Sequence, residues 1–425
     1  MAGEWSATTL AATYKEVYAD DIRYLLGKRY VLLNNVKFAA SQKPGKTYHE
    51  PVVLTRDGFF EYRSANSGTI TYGNPVPADI EDAQLNSSQM FGRSRIDTEA
   101  CARGASSKYA FRSSIGVSVE SLWDTSNARI ESDLWSGGID IGVLDVVGSP
   151  ANTASITLDS WAVGNFVGCE GTKIQILTTD LKTDRGAADS SKLVKITAVD
   201  IPNRKLTLAT STDEVTWTAG YPASTQSGDR VFYASQIVAG NPATVRTMTG
   251  LHSILGTTSG TILNISTTMS LWVASQVNVN GLLSLSTIAD GIQQAYGKGL
   301  DEDISVICSP SAWTKLAIEW TALKRGDVSK KTNYSMGAGD MEISVLGINA
   351  KIEASPFCRS GKAVGIPYSY AKRIGASELT DQIPGRGGDY FSPVPGTNAL
   401  EFQTYSNQAL FVIPGKCINY YGITG

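Results

Sequence analysis

The stretch "LSTIADGIQQAYGKGLDEDISVICSPSAWTKL", residues 285–316, predicts a helix, a buried strand and a second helix in succession. The first helix ends at a pair of glycines, 297 and 299, and "ISVIC" is an apolar run as long as a buried strand. The apolar face of the first helix comprises Leu285, Ile288, Ile292 and Tyr296. The second helix runs to Lys324, Arg325 and Gly326, and its apolar positions are Trp313, Leu316, Ala317, Trp320 and Leu323.

Cys308 and Ser309 lie side by side where the strand ends and the second helix begins, a position at which many hydrolases keep a nucleophile. The strained turn that exposes such a nucleophile requires flanking glycines, and "ICSPS" contains none. Ser309 is instead predicted to cap the helix, with Pro310 at its first position, because the serine oxygen can accept from a free amide. Cys308 is predicted to be a small buried hydrophobe.

A nucleophile also needs a base, usually histidine, and the sequence has two. His49 lies in the loop-like "KTYHEP", where a solvated surface role is expected. His252 follows a glycine at a predicted helix start, where a structural or exposed role is expected. Neither histidine favours catalysis, so no catalytic residue is predicted.

The composition is that of a folded protein and nominates no charged partner. The chain is 42% hydrophobic and 18% charged, and 37 basic against 40 acidic residues give a net charge of −3, which supplies no basic stripe for nucleic acid. The cysteines form no C-x-x-C pair, and we predict that they are reduced and mostly buried. They are Cys101, Cys169, Cys308, Cys358 and Cys417.

Signals for export, membranes and small ligands are weak. The N-terminus does not resemble a secretory signal, and no run of about 18 apolar residues occurs, so we expect a chain used in the cytoplasm or in something assembled there. The glycine clusters at 337–340 and 385–389 do not match a phosphate-binding loop. Asp301, Glu302 and Asp303 lack calcium-loop spacing and predict a solvated turn. No cofactor or metal site is predicted.

The N-terminal part of the chain predicts three different segments. Apolar residues recur from Thr8 to Leu33 and then run into a turn-rich loop, which is typical of an arm. Residues 41–100 hold short strand-like pieces between turn signals and predict an extended hairpin too poor in apolar residues for its own core. Residues 111–136 predict a long helix that ends near Gly137 and Gly138. Its apolar face comprises Val119, Trp123, Ile130 and Leu134.

The middle of the chain changes character. "IDIGVLDVV", residues 139–147, is ambiguous between helix and strand. From 166 to 235, apolar and polar residues alternate as in strands with one buried face, and Pro202 and Asn203 predict a turn between two of them. This pattern predicts a small all-β module inserted between segments of a different architecture. From residue 247 onward the chain is predicted to be mixed α/β.

The order of these parts resembles the major capsid proteins of tailed bacteriophages, which have the Hong Kong 97-type fold. The likeness is most specific in residues 285–316, which resemble the helix, strand and helix of that family's axial domain. "VLGINAKIEASPF" and "FQTYSNQALFVIPGKCINYYGI" also resemble the family. "ARIESDLWSGG", "WAVGNFVGCEGTKIQI" and "GLHSILGTT" are similar to members that carry an added β-domain.

This resemblance implies an α+β fold in five parts. They are an N-terminal arm (1–40), an extended β-hairpin loop (41–100), a peripheral domain with a long spine helix (101–165), an inserted β-domain (166–240), and an axial domain with the remaining peripheral strands (241–425). The implied function is structural, without catalysis. Copies would self-assemble as hexamers and pentamers into an icosahedral head around double-stranded DNA, bound without sequence specificity and without a membrane.

The resemblance also implies partners and a location. A scaffolding protein, a portal and decoration proteins would act with the shell, which would assemble in the bacterial cytoplasm and end in the virion. Some shells of the family carry a Lys–Asn isopeptide link, and Lys43 and Lys46 lie near the proposed loop, but no pair can be assigned. Two alternatives stay open: another virion component, such as a tail tube or an adhesin, and a hydrolase using Cys308 or Ser309.

Overall fold

The structure is a computed structural model. It describes residues 29–40, 47–58, 60, 62, 63, 65, 73–97, 99, 114–147, 153–185, 194–210, 225–324, 341–381 and 391–424. The chain is divided into two compact units. The smaller unit consists of Met1–Lys28, Phe91–Ser126 and Asp381–Thr404, and the larger unit of Arg29–Met90, Asn127–Thr380 and Tyr405–Gly425.

Helices and strands are interspersed along the chain, so the protein has the predicted α+β character. The described helices are α1 (Val31–Asn35), α2 (Ser114–Ser136), α3 (Val163–Phe166), α4 (Leu251–Gly256), α5 (Leu285–Gly297) and α6 (Pro310–Lys324). Short 3-10 turns occupy Leu158–Ser160, Tyr368–Tyr370 and Pro414–Lys416.

The described strands fall into several sheets. They are β1 (Phe38–Ala40), β2 (Thr47–Val53), β3 (Ile80–Asn86), β4 (Ser88–Asp97), β5 (Gly142–Val147), β6 (Thr153–Ile156), β7 (Lys173–Leu177), β8 (Val194–Asp200), β9 (Lys205–Thr210), β10 (Arg230–Tyr233), β11 (Ile237–Val238), β12 (Thr244–Val245), β13 (Thr261–Ile262), β14 (Ile265–Ser266), β15 (Ser275–Gly281), β16 (Ile304–Cys308), β17 (Met341–Val345), β18 (Ile348–Ala354), β19 (Lys362–Ile366), β20 (Ala371–Thr380), β21 (Phe391–Pro393), β22 (Ala399–Val412) and β23 (Ile418–Ile423).

A six-stranded sheet of the larger unit contains the "ISVIC" strand. Its order is β15-β23-β19-β16-β18-β17. β16 is buried along its whole length between parallel β18 and antiparallel β19, as an unbroken apolar strand should be. Helices α5 and α6 contribute apolar residues to the same core cluster. The predicted helix, buried strand and helix are therefore confirmed.

Helix α5 begins with a capping box, in which the side chains of Ser284 and Thr287 each accept from the other's backbone N–H. Ile288 and Ile292 are buried as predicted, but Tyr296 is 51% exposed and Ala295 is buried instead. At about 100° per residue, Tyr296 lies about 80° around the helix from Ile288, and so outside the buried face. The predicted apolar face was wrong at this position.

Six strands of the larger unit close into a barrel in the order β10-β5-β6-β9-β8-β7. The four alternating segments predicted as strands between 166 and 235 form β7, β8, β9 and β10, and Pro202 and Asn203 lie in the β8–β9 turn, as predicted. The ambiguous segment 139–147 contributes β5, and β6 follows it. The barrel core is apolar and includes Ile156, Phe166, Ile176, Ile196 and Leu208.

Helix α2 ends where predicted, because two glycines allow a close backbone approach. Gly250 N donates to Gly137 O at 2.8 Å, and a Cβ on Gly137 would lie 2.2 Å from the carbonyl oxygen of Met248. Of its predicted apolar face, Ile130 and Leu134 are buried, whereas Val119 and Trp123 are half-buried. The predicted start at 111–113 lies outside the described residues.

In the smaller unit, the first part of α2 packs on strands. A Cβ on Gly92 would lie 2.4 Å from Thr404 Oγ1 and 3.0 Å from Ser126 Oγ, so helix and sheet are in close contact at this glycine. Arg95 Nε donates to Glu401 Oε2 at 2.8 Å. β21 pairs with the start of β22, and Phe391 contacts Phe402.

Candidate assembly site

The junction of β16 and α6 has the geometry of a helix cap. Ser309 is buried, and its Oγ accepts from the backbone N–H of Ala312 at 3.3 Å. Pro310 is the first residue of α6, so the predicted Ser-Pro cap is confirmed. Burial raises the pKa of Cys308 to about 12, which keeps the thiol neutral and weakly nucleophilic near neutral pH. This geometry does not favour the hydrolase alternative.

The two histidines lie in different environments. His252 is buried in α4 with its ring 5.1 Å from that of Trp135, and burial, with Lys362 and Arg359, holds its pKa well below its ordinary value. It is therefore a neutral packing residue, and its predicted structural role is confirmed. His49 is exposed as predicted, but it lies in β2 opposite Gln84 and not in a loop. Pairing with a distant strand determines its conformation despite the turn-rich sequence.

The remaining predicted ligand groups are ordinary surface or core residues where they are described. Asp303 Oδ1 accepts from Asn349 N at 3.0 Å, and Asp301 Oδ1 accepts from the hydroxyl of Tyr370 at 2.8 Å. Cys169, Cys308, Cys358 and Cys417 are free thiols, and the last three are buried. Cys101, Lys43, Lys46 and the two glycine clusters lie outside the described residues.

The described part of the chain contains neither a candidate metal site nor a membrane-spanning helix. No described group of three or more histidine, cysteine or acidic side chains could hold a metal ion. No described helix is long and apolar enough to cross a membrane.

Residues 29–40, here called the strap, belong to the larger unit. The strap contains α1 and β1, and β1 pairs in parallel with β20, with Phe38 opposite Arg373. Its buried apolar residues belong to the same core cluster as Ile130 and Leu134 of α2. They are Tyr30, Val31, Leu32 and Val36.

The N-terminal end of α1 is held by a buried carboxylate. Glu131 Oε1 accepts from Leu32 N at 3.0 Å, and Glu131 Oε2 accepts from Leu33 N at 2.8 Å. Trp135 Nε1 donates to Oε1 at 2.9 Å. These bonds satisfy amides that a helix start leaves free. Burial nonetheless raises the pKa of Glu131 above its usual range, because desolvation outweighs the three donors.

The C-terminal end of the strap is held by a buried guanidinium. Arg373 Nε donates to Val36 O at 2.9 Å and Nη2 donates to Leu33 O at 3.2 Å, which satisfies carbonyls at the end of α1. The same side chain donates to Gln408 Oε1 at 3.0 Å and to Glu378 Oε1 at 2.7 Å. An acidic and a basic side chain therefore hold the two ends of one short helix. Sequence reasoning missed both residues.

Strands β2 and β3, with the described residues between them, form what is here called the apolar hairpin. Thr47 pairs with Asn86 at its base and Val53 with Ile80 at its far end. Near the base, Tyr48 and Leu85 are buried, and Lys372 Nζ contacts Glu50 Oε2 at 2.8 Å. Toward the far end, large apolar side chains are exposed. They are Val53, Phe60, Tyr62, Val76 and Ile80, and they are 55–93% exposed.

Comparison with known proteins identifies the fold. No protein-family model matches the sequence, and no curated protein matches it. Among solved structures, a chain of the cyanophage A-1(L) capsid asymmetric unit matches with a TM-score of 0.59 and 10% sequence identity, over 99% of this chain and 100% of that chain. The fold is that of a phage capsid protein.

A second solved structure gives the same result. A chain of the capsid of a native GTA particle matches with a TM-score of 0.51 and 8% identity, again over 99% of this chain and 100% of that chain. Since both identities are 10% or lower, the comparison establishes the fold. It confirms the predicted resemblance to phage capsid proteins at that level. In both comparisons the similarity covers 99% of this chain.

Proposed function

We propose that this chain is the major capsid protein of a tailed bacteriophage, a structural subunit without catalytic activity. One observation carries the proposal: the fold matches a cyanophage capsid chain over 99% of this chain and 100% of that chain. Many copies would form hexamers and pentamers and close into an icosahedral head around double-stranded DNA. The net charge of −3 is compatible with close packing of identical copies, because strong like charge would oppose association.

The apolar hairpin supports an assembled state. Five large apolar side chains exposed toward the far end of the hairpin are costly in water, and such surfaces mark protein–protein contacts. A two-stranded hairpin is also marginally stable by itself. Burial of its far end by other copies would remove both costs.

The five-part layout remains our proposal. Residues 1–40 would be the N-terminal arm, 41–100 the extended loop, 101–165 the peripheral domain with α2 as spine helix, 166–240 the inserted β-domain, and 241–425 the axial domain with further peripheral strands. The pairing of β2 with β3 and the closed barrel support the second and fourth assignments. The barrel also takes strands from 142–156, which would extend the fourth part toward the N-terminus.

Partners and location follow from the same proposal. A separate scaffolding protein would guide assembly in the bacterial cytoplasm, and a portal and decoration proteins would complete the head. DNA would be enclosed without sequence-specific contacts.

Electron microscopy of the recombinant protein tests the proposal. We expect shells, hexamers or pentamers when the chain is produced with and without the neighbouring scaffold gene. Protein that stays monomeric under both conditions would refute a capsid role, and tubes or trimers would point to a tail or adhesin component. A hydrolase assay on the Cys308→Ala and Ser309→Ala double variant is the control for catalysis: any activity lost with these side chains would contradict the structural assignment.

A further inference from the structure

The second half of α2 contacts the barrel through a set of polar side chains. One face of the helix carries Ile130 and Leu134 into the apolar core. Ser132 and Asp133 follow Arg129 by three and four residues, so all three lie on one side of the helix and make the face toward the barrel polar. We call this contact the polar seam. Its members are Arg129, Ser132 and Asp133 of α2 and Asn165, Cys169, Tyr233 and Gln236 of the barrel and its connections.

Hydrogen bonds and a ring contact link the seam. The guanidinium carbon of Arg129 lies 3.3 Å from the centroid of the Tyr233 ring. The Tyr233 hydroxyl donates to Asn165 O at 2.6 Å, and Ser132 Oγ donates to Asn165 Oδ1 at 2.9 Å. Because these contacts require particular orientations, small movements of the barrel would break several of them together.

Asp133 is the acidic member of the seam. Its Oδ1 accepts from Gln236 Nε2 at 2.8 Å, and Gln236 Oε1 in turn accepts from Tyr233 N at 3.0 Å. Burial raises the pKa of Asp133 to about 7, although Arg129 and the Gln236 bond favour the charged form. The seam therefore places a carboxyl that ionises near neutral pH between α2 and the barrel.

The other titratable groups facing this carboxyl do not change charge in the same range. Arg129 lies one turn earlier on α2 and supplies a positive charge that favours ionised Asp133. Tyr233 faces it from the barrel side and Cys169 lies near Arg129; burial raises the pKa of each above its usual value, so both stay neutral. Asp133 is thus the group in the seam whose charge changes around pH 7.

We propose that the polar seam is a pH-responsive joint that holds the barrel on α2 when Asp133 is protonated and opens when Asp133 ionises. Loss of the proton to solvent leaves a carboxylate that the closed seam solvates poorly, and opening exposes it to water. The proposal rests on the contacts within the larger unit and holds whether or not the chain forms a shell.

The direction with pH follows from the raised pKa. A carboxyl that holds its proton more tightly in the closed state favours closure at low pH, and this preference is lost as pH rises toward 7. The population of the open seam should rise about tenfold per pH unit between pH 5 and 7 and level off above that range.

Hydrogen exchange measures this opening. The amide of Tyr233, which donates to Gln236 Oε1, reports on the seam, and the amides of β16 serve as an internal reference. We expect the protection factor at Tyr233 to fall about tenfold per pH unit between pH 5 and 7 and to stay below that of β16, whose amides exchange through global unfolding. A wild-type protection factor at Tyr233 that does not change with pH would overturn the proposal.

Two variants attribute the effect to Asp133. Asp133→Asn keeps an oxygen for Gln236 but cannot ionise, so its protection factor should be independent of pH, whereas Asp145→Asn, at an exposed carboxylate of β5, should retain the wild-type slope. An Asp133→Asn variant with the wild-type slope would overturn the proposal. If that variant does not fold, Arg129→Met provides the test: it removes a positive charge that favours ionised Asp133 and keeps the Tyr233–Gln236 hydrogen bond, so the transition should move to higher pH. If the pH midpoint of the change in protection at Tyr233 stayed the same in that variant, the proposed joint would be refuted.

Discussion

The strap and the apolar hairpin are neighbouring segments of the chain, and they differ in whether their apolar side chains are buried. Both are too short to form a core. The strap, residues 29–40, buries its apolar side chains in the larger unit and has a buried charge at each end of α1. The hairpin buries its base but exposes large apolar side chains toward its far end. The strap is therefore buried within one chain, whereas the far end of the hairpin leaves large apolar side chains exposed in a single chain.

Removing the guanidinium should destabilise the strap most. Arg373→Ala leaves the carbonyls of Leu33 and Val36 and the side-chain oxygen of Gln408 without their donor. We expect a loss of about 3–5 kcal/mol in the free energy of unfolding, because breaking a buried charged network leaves uncompensated polar groups. Urea denaturation measures this loss.

Arg373→Lys is the matched control. It keeps the charge but cannot reproduce the planar fork that contacts Val36, Leu33 and Gln408 together, so it should recover only part of the loss. If Arg373→Ala unfolds at the same urea concentration as the wild type, the guanidinium does not hold the strap.

Glu131→Gln should lower the free energy of unfolding by less than Arg373→Ala does, and by an amount that depends on pH. The amide keeps one acceptor for Leu32 and Trp135 but turns an NH₂ group toward the N–H of Leu33, which should cost about 2 kcal/mol at low pH. The raised pKa of Glu131 means that the wild type loses stability as pH rises above the ordinary value of 4.5. The variant lacks this loss, so the difference between the two proteins should shrink as pH increases.

Thermal unfolding of both proteins across a pH series measures that difference. If the stability difference between the wild type and Glu131→Gln increased with pH, the hydrogen bonds to Glu131 would outweigh its desolvation, contrary to the raised pKa.

Local patterns predicted the parts of the fold whose cause is local. The apolar run of β16 and the Ser309–Pro310 cap depend on adjacent residues, and the barrel strands follow from alternation with a period of two. The resemblance to capsid proteins also rested on such patterns, and the structural comparison confirmed the fold. The sequence identified the fold class without identifying the candidate site.

The strap's two charges could not be predicted because their partners are remote. Glu131 contacts backbone amides 98 and 99 residues away, and Arg373 contacts carbonyls 337 and 340 residues away. Backbone groups carry no residue-specific signal, so spacing gives no indication of such pairs. The same reason explains His49, whose strand conformation depends on residues near 84. Long-range pairing, more than composition, determines these positions.

The same substitution, valine to alanine, can be made in the strap and in the hairpin to compare the two segments directly. Val36 is buried in the strap, and Val53 is 58% exposed on the hairpin. Val36→Ala removes buried apolar surface and should cost about 1.5 kcal/mol of unfolding free energy, whereas Val53→Ala should change it by less than about 0.5 kcal/mol. Assembly should show the reverse order. Val53→Ala should raise the protein concentration needed for shells or hexamers, as measured by light scattering, and folded Val36→Ala subunits should assemble at the wild-type concentration. If Val53→Ala assembles as the wild type does, the exposed end of the hairpin is not a contact between copies, even if shells form.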